Sequence, residues 1–143
     1  MSNEMAKAWI LSALADLKSI AHIIEDEFLT HIVAFHAQQC VEKCFKAMLE
    51  AQAGIEVPRT HSTLKLYGMI KDELALEIDI DLLTDFDSLY IDARYPGDLG
   101  LLPDGKPSLT DAREFYDVAQ SVFTTTSDML FPQDTNKPSL SPG

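Results

Sequence analysis

Apolar side chains recur three and four residues apart along most of the chain, so helices rather than strands must build the fold. The first stripe is Ala6, Trp9, Ile10, Ala13, Leu17, Ile20, Ala21 and Ile24, and it predicts a helix over about residues 4–24 behind a Ser2 or Asn3 cap. A second helix is expected over about residues 28–53. Gly54 stops it, because glycine takes the left-handed conformation that closes a helix, and Pro58 keeps the next connection extended. A short third helix starts at Thr60 or Ser62 and carries Leu64, Leu66, Tyr67, Ile70 and Leu74. The fourth takes Leu82, Leu83, Phe86, Leu89, Tyr90 and Ala93, with Asp81, Asp85, Asp87 and Asp92 on its polar side and Pro96 and Gly97 ending it.

After the loop "YPGDLGLLPDGKP", Ser108 and Asp111 have capping-box spacing and open a fifth helix. Ala112, Phe115, Tyr116, Ala119, Val122, Phe123 and Met129 form its expected buried face, and the β-branched run from Thr124 to Thr126 weakens its second half. The pattern describes an all-α, up-and-down bundle of four to five helices over residues 1–130, followed by a proline-rich flexible tail over 131–143.

At 143 residues the chain suits one domain with a single core, and 46% hydrophobic and 24% charged residues are ordinary globular usage. Its net charge of −12 repels phosphate at a distance, which argues against nucleic acid or an anionic membrane as a partner except through a local contact. The start "AKAWILSALA" has the look of a secretion signal, but Glu4 spoils the basic leader and the helical stripe continues past it. No apolar run approaches the roughly 18 residues of a membrane helix. Cys40 and Cys44, four apart on a helix, suit a reduced intracellular protein. A cytoplasmic location without a membrane segment is expected.

The stretch "AFHAQQCVEKCFKAML" is the richest in chemistry. Val33, Ala37, Val41, Cys44, Phe45 and Met48 share one arc of the second helix, and His36, Gln39, Lys43 and Lys46 fall on its flank among Ile32, Cys40 and Ala47. A flank that mixes polar and apolar groups suits a cleft or a subunit interface. The alternative is a solvated face, on which Glu42 and Lys46 form an ordinary i, i+4 pair of about 0.2–0.5 kcal/mol. His36, Cys40 and Cys44 are also successive i, i+4 positions, but three local ligands are too few for a structural zinc site and cysteine is commonly a core residue, so no metal and no cofactor is expected. Gly-rich phosphate loops and paired cysteine knuckles are absent. His61, in "PRTHSTL", stands where the third helix starts, as a cap or a functional group. Arg94 and Tyr95 stand at the last turn of the fourth, where the helix dipole favours a cation by about 0.3–1 kcal/mol.

Together, "WILSALADL", "HAQQCVEKCFKAML", "RTHSTLKL" and "DARYP" resemble the HEPN domain family, the higher-eukaryote and prokaryote nucleotide-binding domains, over about residues 5–128. The resemblance implies a helical bundle that forms a homodimer, often encoded beside a minimal nucleotidyltransferase as a toxin–antitoxin pair. Many members are ribonucleases that carry an arginine followed four to six residues later by a histidine. The histidine moves a proton from the ribose hydroxyl and the arginine steadies the phosphate. This chain departs from that pattern: none of His22, His31, His36 or His61 follows Arg59, Arg94 or Arg113 at that distance.

The expectation is therefore a binding module with no catalytic residues, engaging a nucleotide or a nucleotidyltransferase. Lys43, Lys46 and Arg94 are its phosphate-facing cations, and His36, Gln39, His61 and Tyr95 complete the ligand-binding set. Two alternatives stand beside it: a ribonuclease toxin with a rearranged site built on Arg94, Tyr95 and His61, and a structural homodimer whose polar stripe fixes the subunit register.

Overall fold

The computed structural model describes residues 2–92 and 106–132; Arg94, Tyr95, the Pro96–Gly97 stop, most of the loop before Ser108 and the tail beyond Pro132 lie outside the described residues. Among the described residues there are five helices: α1 (Ser2–Ile23), α2 (Thr30–Glu50), α3 (Thr63–Ile70), α4 (Ile80–Asp92) and α5 (Leu109–Leu130). A single 3₁₀ turn, Glu27–Leu29, precedes α2, and no strand occurs among the described residues. This is the all-α bundle that the periodicity predicts.

α2 is the central helix. It packs against α1 and α5 over most of its length and also touches α3 and α4. Its expected arc of Val33, Ala37, Val41, Cys44, Phe45 and Met48 is buried, but so are Cys40, Ala47 and Leu49 on other sides. A helix surrounded on nearly all sides buries its polar groups as well. Phe45 meets the ring of Tyr67 at 5.9 Å and Phe86 meets Phe115 at 5.2 Å, which ties α2 to α3 and α4 to α5. Burying one such side chain is worth about 1.5–3 kcal/mol.

Several boundaries shift. Ser2 and Asn3 lie inside α1 rather than capping it, and Ala21 is exposed. α2 begins at Thr30 because Asp26 takes up the Phe28 N–H and starts the 3₁₀ turn instead, leaving Phe28 at 75% exposure. α2 ends at Glu50, four residues ahead of Gly54, which does adopt a left-handed φ of +80° in the turn that follows. Leu64 and Met129 are largely exposed. On α5 the inward positions near Met129 are Thr126 and Ser127 instead. Thr126 is accommodated because its hydroxyl donates back to the Val122 carbonyl at 2.8 Å, so the helix runs on to Leu130 through the threonine run. The Ser108–Asp111 capping box forms in both directions, at 3.0 Å each way.

Candidate functional site

Two buried carboxylates organise the polar side of α2. Asp16, from α1, accepts from Lys43 Nζ at 2.8 Å through one oxygen and from His36 Nδ1 at 2.8 Å through the other. Glu42 accepts from Lys46 Nζ at 3.0 Å, from His61 Nδ1 at 3.2 and 3.3 Å, from Gln38 Nε2 at 3.2 Å and from Gln39 Nε2 at 3.5 Å. A carboxylate only accepts, so each histidine donates through Nδ1, and in its neutral form each keeps Nε2 as an acceptor. Gln38, fully buried, closes the second cluster. Its amide nitrogen also donates to the His61 carbonyl at 2.8 Å, while its oxygen receives Gln39 at 2.7 Å.

The alternative of a solvated face carrying Glu42 and Lys46 does not hold. Their side chains are 5% and 7% exposed, because α2 is covered on that side by α1 and by the strap leading to α3. Lys46 Nζ lies 5.4 Å from the Trp9 ring centroid, and Trp9 Nε1 donates to Glu50 at 3.4 Å. Desolvated charges of this kind persist only when fully hydrogen-bonded, and Glu42 is.

His61 is held in place twice over. Its ring stacks on Tyr90 of α4 at 4.8 Å, and Tyr90 stacks in turn near Phe35 of α2 at 5.9 Å. The residues after it are fixed by Asp87 of α4, which accepts from the Ser62 hydroxyl (2.8 Å), the Thr63 N–H (2.7 Å), the Thr63 hydroxyl (2.8 Å) and the Leu64 N–H (3.2 Å). Ser62 is the cap of α3, its hydroxyl accepting from the Lys65 N–H. His61 thus stands beside the cap rather than serving as one, and half of its side chain is open.

Of the expected site residues, His36, Gln39, Lys43, Lys46 and His61 converge on this one region through Asp16 and Glu42. Arg94 and Tyr95 lie outside the described residues. Lys46 is the member most at odds with a phosphate-facing role, since it sits beneath the others. Asp16, Gln38, Asp87 and Tyr90 are members of this region that stand outside the expected site residues. Asp16 carried a usable signal: on a helical wheel it falls beside Trp9 and Ile20, at the edge of the apolar stripe, where an unpartnered carboxylate would not be tolerated.

Cys40 and Cys44 are free and buried. Burial, aided by the neighbouring Cys44, pushes the Cys40 thiol well above its usual range, so it remains protonated and packs like a small apolar group. Among the described residues no three His, Cys, Asp or Glu side chains converge as a metal site would require. His31, at the start of α2, stands apart, its ring edge-on to Phe28 at 6.4 Å. Burial, with the charge of Lys106 as a second cause, lowers its pKa.

A family model for the HEPN domain matches residues 6–129. The chain belongs to the HEPN family. Within this HEPN domain the matched span covers all five helices apart from the ends of α1 and α5, and so contains the whole polar cluster. No curated protein and no solved structure matches the chain. No helix among the described residues is long and apolar enough to cross a membrane.

Proposed function

We propose that this HEPN protein is a non-catalytic binding module for a nucleotide, acting as a homodimer with a minimal nucleotidyltransferase in a toxin–antitoxin-type pair. The observation that carries the nucleotide reading is the His61–Tyr90 stack, a rigid aromatic step with one half open to solvent. Glu42 and Gln38 fix it, so a nucleobase would meet it without further ordering cost. Lys43 spends one of its three N–H donors on Asp16, is 19% exposed, and retains donors for phosphate. Gln39 and His36 line the approach. Lys46, in this reading, supports Glu42 from below, and Arg94, four residues beyond Tyr90 in sequence, is the second phosphate-binding cation.

Cleavage is the weaker reading, because no histidine follows Arg59, Arg94 or Arg113 by four to six residues, the spacing that the resemblance assigns to the family's ribonucleases. One observation does favour it. Glu42 on Nδ1 leaves His61 Nε2 outward, the orientation a general base needs. Isothermal titration with ATP, GTP and mononucleotides, run beside an RNA cleavage assay, separates the two. Nucleotide binding lost in His61→Ala and Lys43→Ala, with no RNA turnover, is the expected result. RNA cleavage abolished by Arg94→Ala or His61→Ala would replace the proposal with the ribonuclease. No nucleotide binding at all, together with dimerisation lost on replacing Gln39 and Lys43, would leave the structural role.

A further inference from the structure

A second feature shares no residue with the polar cluster. Between α5 and the segment joining α3 to α4 lies a cavity of about 230 Å³. Leu76, Ile78, Leu82 and Val118 form its floor, and Glu77, Asp79 and Asp117 its rim. A second, more open depression continues from it through Leu76, Asp117 and Ser121 to Thr124 and Thr125. The two make one groove along α5, about 12 Å long at the rise of an α-helix.

The size and charge of the groove select its occupant. The part beside Leu82 holds about 230 Å³ and the more open part beside Thr124 and Thr125 about 620 Å³, so the groove is an open trough rather than a closed ligand pocket, a shape that accepts a segment of chain. Among the described residues no basic side chain lines either depression, and neither Glu77 nor Asp117 has an ion-pair partner. The rim is felt by its neighbours. Asp85 is shifted up by burial and then by Asp81, Asp79 and Asp111, and Tyr116 by burial and then by Asp117. An apolar slot bordered by unneutralised carboxylates complements an apolar side chain flanked by cations.

We propose that this groove docks a basic amphipathic segment of a partner protein, one apolar residue on Leu76, Ile78, Leu82 and Val118, with Lys or Arg on either side meeting Glu77, Asp79 and Asp117. The inference does not rest on nucleotide binding, which uses the opposite set of residues and would fail separately.

The probe is a helical peptide of about 14 residues with Leu at helical spacing and Lys elsewhere, titrated by fluorescence anisotropy against the full chain, alongside versions with Gln or Glu in place of Lys. The Lys peptide is expected to bind, more weakly as salt rises, and the Glu peptide not at all. Glu77→Gln with Asp117→Asn is expected to weaken binding at least about tenfold, while the charge-matched control Glu4→Gln with Asp72→Asn changes it less than about twofold. Ser121→Trp, which fills the groove without altering charge, is expected to remove binding and leave the circular dichroism spectrum intact. Equal losses in the groove variant and the control would overturn the proposal, since binding would then follow net charge. Equal binding of the Gln peptide would overturn the cationic requirement. A protein that self-associates in sedimentation, and becomes monomeric with Ser121→Trp, would show that a second copy occupies the groove instead.

Discussion

Glu42→Ala tests whether the polar heart of α2 is buried machinery or surface decoration. In the folded protein Glu42 is 3% exposed and receives four side chains: Lys46, His61, Gln38 and Gln39. Removing it strands the ammonium of Lys46, a buried residue only 5% exposed, without its carboxylate. Breaking a buried pair by deleting one partner costs about 3–5 kcal/mol, against about 0.2–1 kcal/mol for an exposed pair. For a domain of this size that corresponds to a fall in Tm of roughly 10–15 °C. Urea denaturation followed by circular dichroism should show the same loss as a lower midpoint at unchanged slope. Adding Lys46→Met removes the stranded charge, so the double variant should recover at least about 1.5 kcal/mol of the loss. A Glu42→Ala cost below about 1 kcal/mol, or strict additivity with Lys46→Met, would refute the buried-network argument.

Further outcomes follow from the same geometry. Asp87→Ala removes the acceptor for Ser62, Thr63 and Leu64 and leaves the buried Thr63 N–H unpaired; a loss of about 3 kcal/mol in urea melts is expected, with weakened nucleotide binding through His61. Asp85→Asn should raise Tm at pH 7, because a folded pKa above the unfolded value makes the ionised aspartate destabilising. The gain should shrink as pH falls through the folded and then the unfolded carboxylate pKa. His31 works in the other sense. Its lowered folded pKa means that stability is complete above the unfolded value near about 6.5 and lost as pH falls below it, so His31→Asn should flatten the Tm–pH curve on the acid side, read by scanning calorimetry.

The helices were legible because burial on one side writes a period into α1, α4 and α5, and Ser108 and Asp111 announce their cap by spacing alone. α2 was only half legible. Its core arc is plain, yet Cys40, Ala47 and Leu49 also face protein, and a helix enclosed on most sides presents a wheel that looks like a core arc with a mixed flank. The apparent surface pair of Glu42 and Lys46 is a consequence: i, i+4 spacing says that two side chains meet but nothing about what covers them. Asp87 was hidden for a different reason. Its four bonds reach residues more than twenty positions away, and no local pattern carries such a tertiary contact.

The two carboxylates repeat one arrangement, a lysine and a histidine on each. Asp16 joins α2 to α1, and Glu42 joins α2 to the strap before α3. Such an arrangement fixes helix orientation whatever else it does, so stability alone cannot tell a binding site from a register device. The exposed members can. His61 is half open and Lys43 partly so, and truncating an exposed partner of an ion pair costs about 1 kcal/mol or less. A network that serves only to hold the bundle predicts that His61→Ala changes little of anything. One that also presents His61 on Tyr90 to a nucleobase predicts lost affinity of about 1–3 kcal/mol in binding with nearly unchanged Tm, the stacking energy typical of a base on an aromatic side chain. Equal, small effects on both measurements would take the site away from His61 and leave Asp16 and Glu42 as struts.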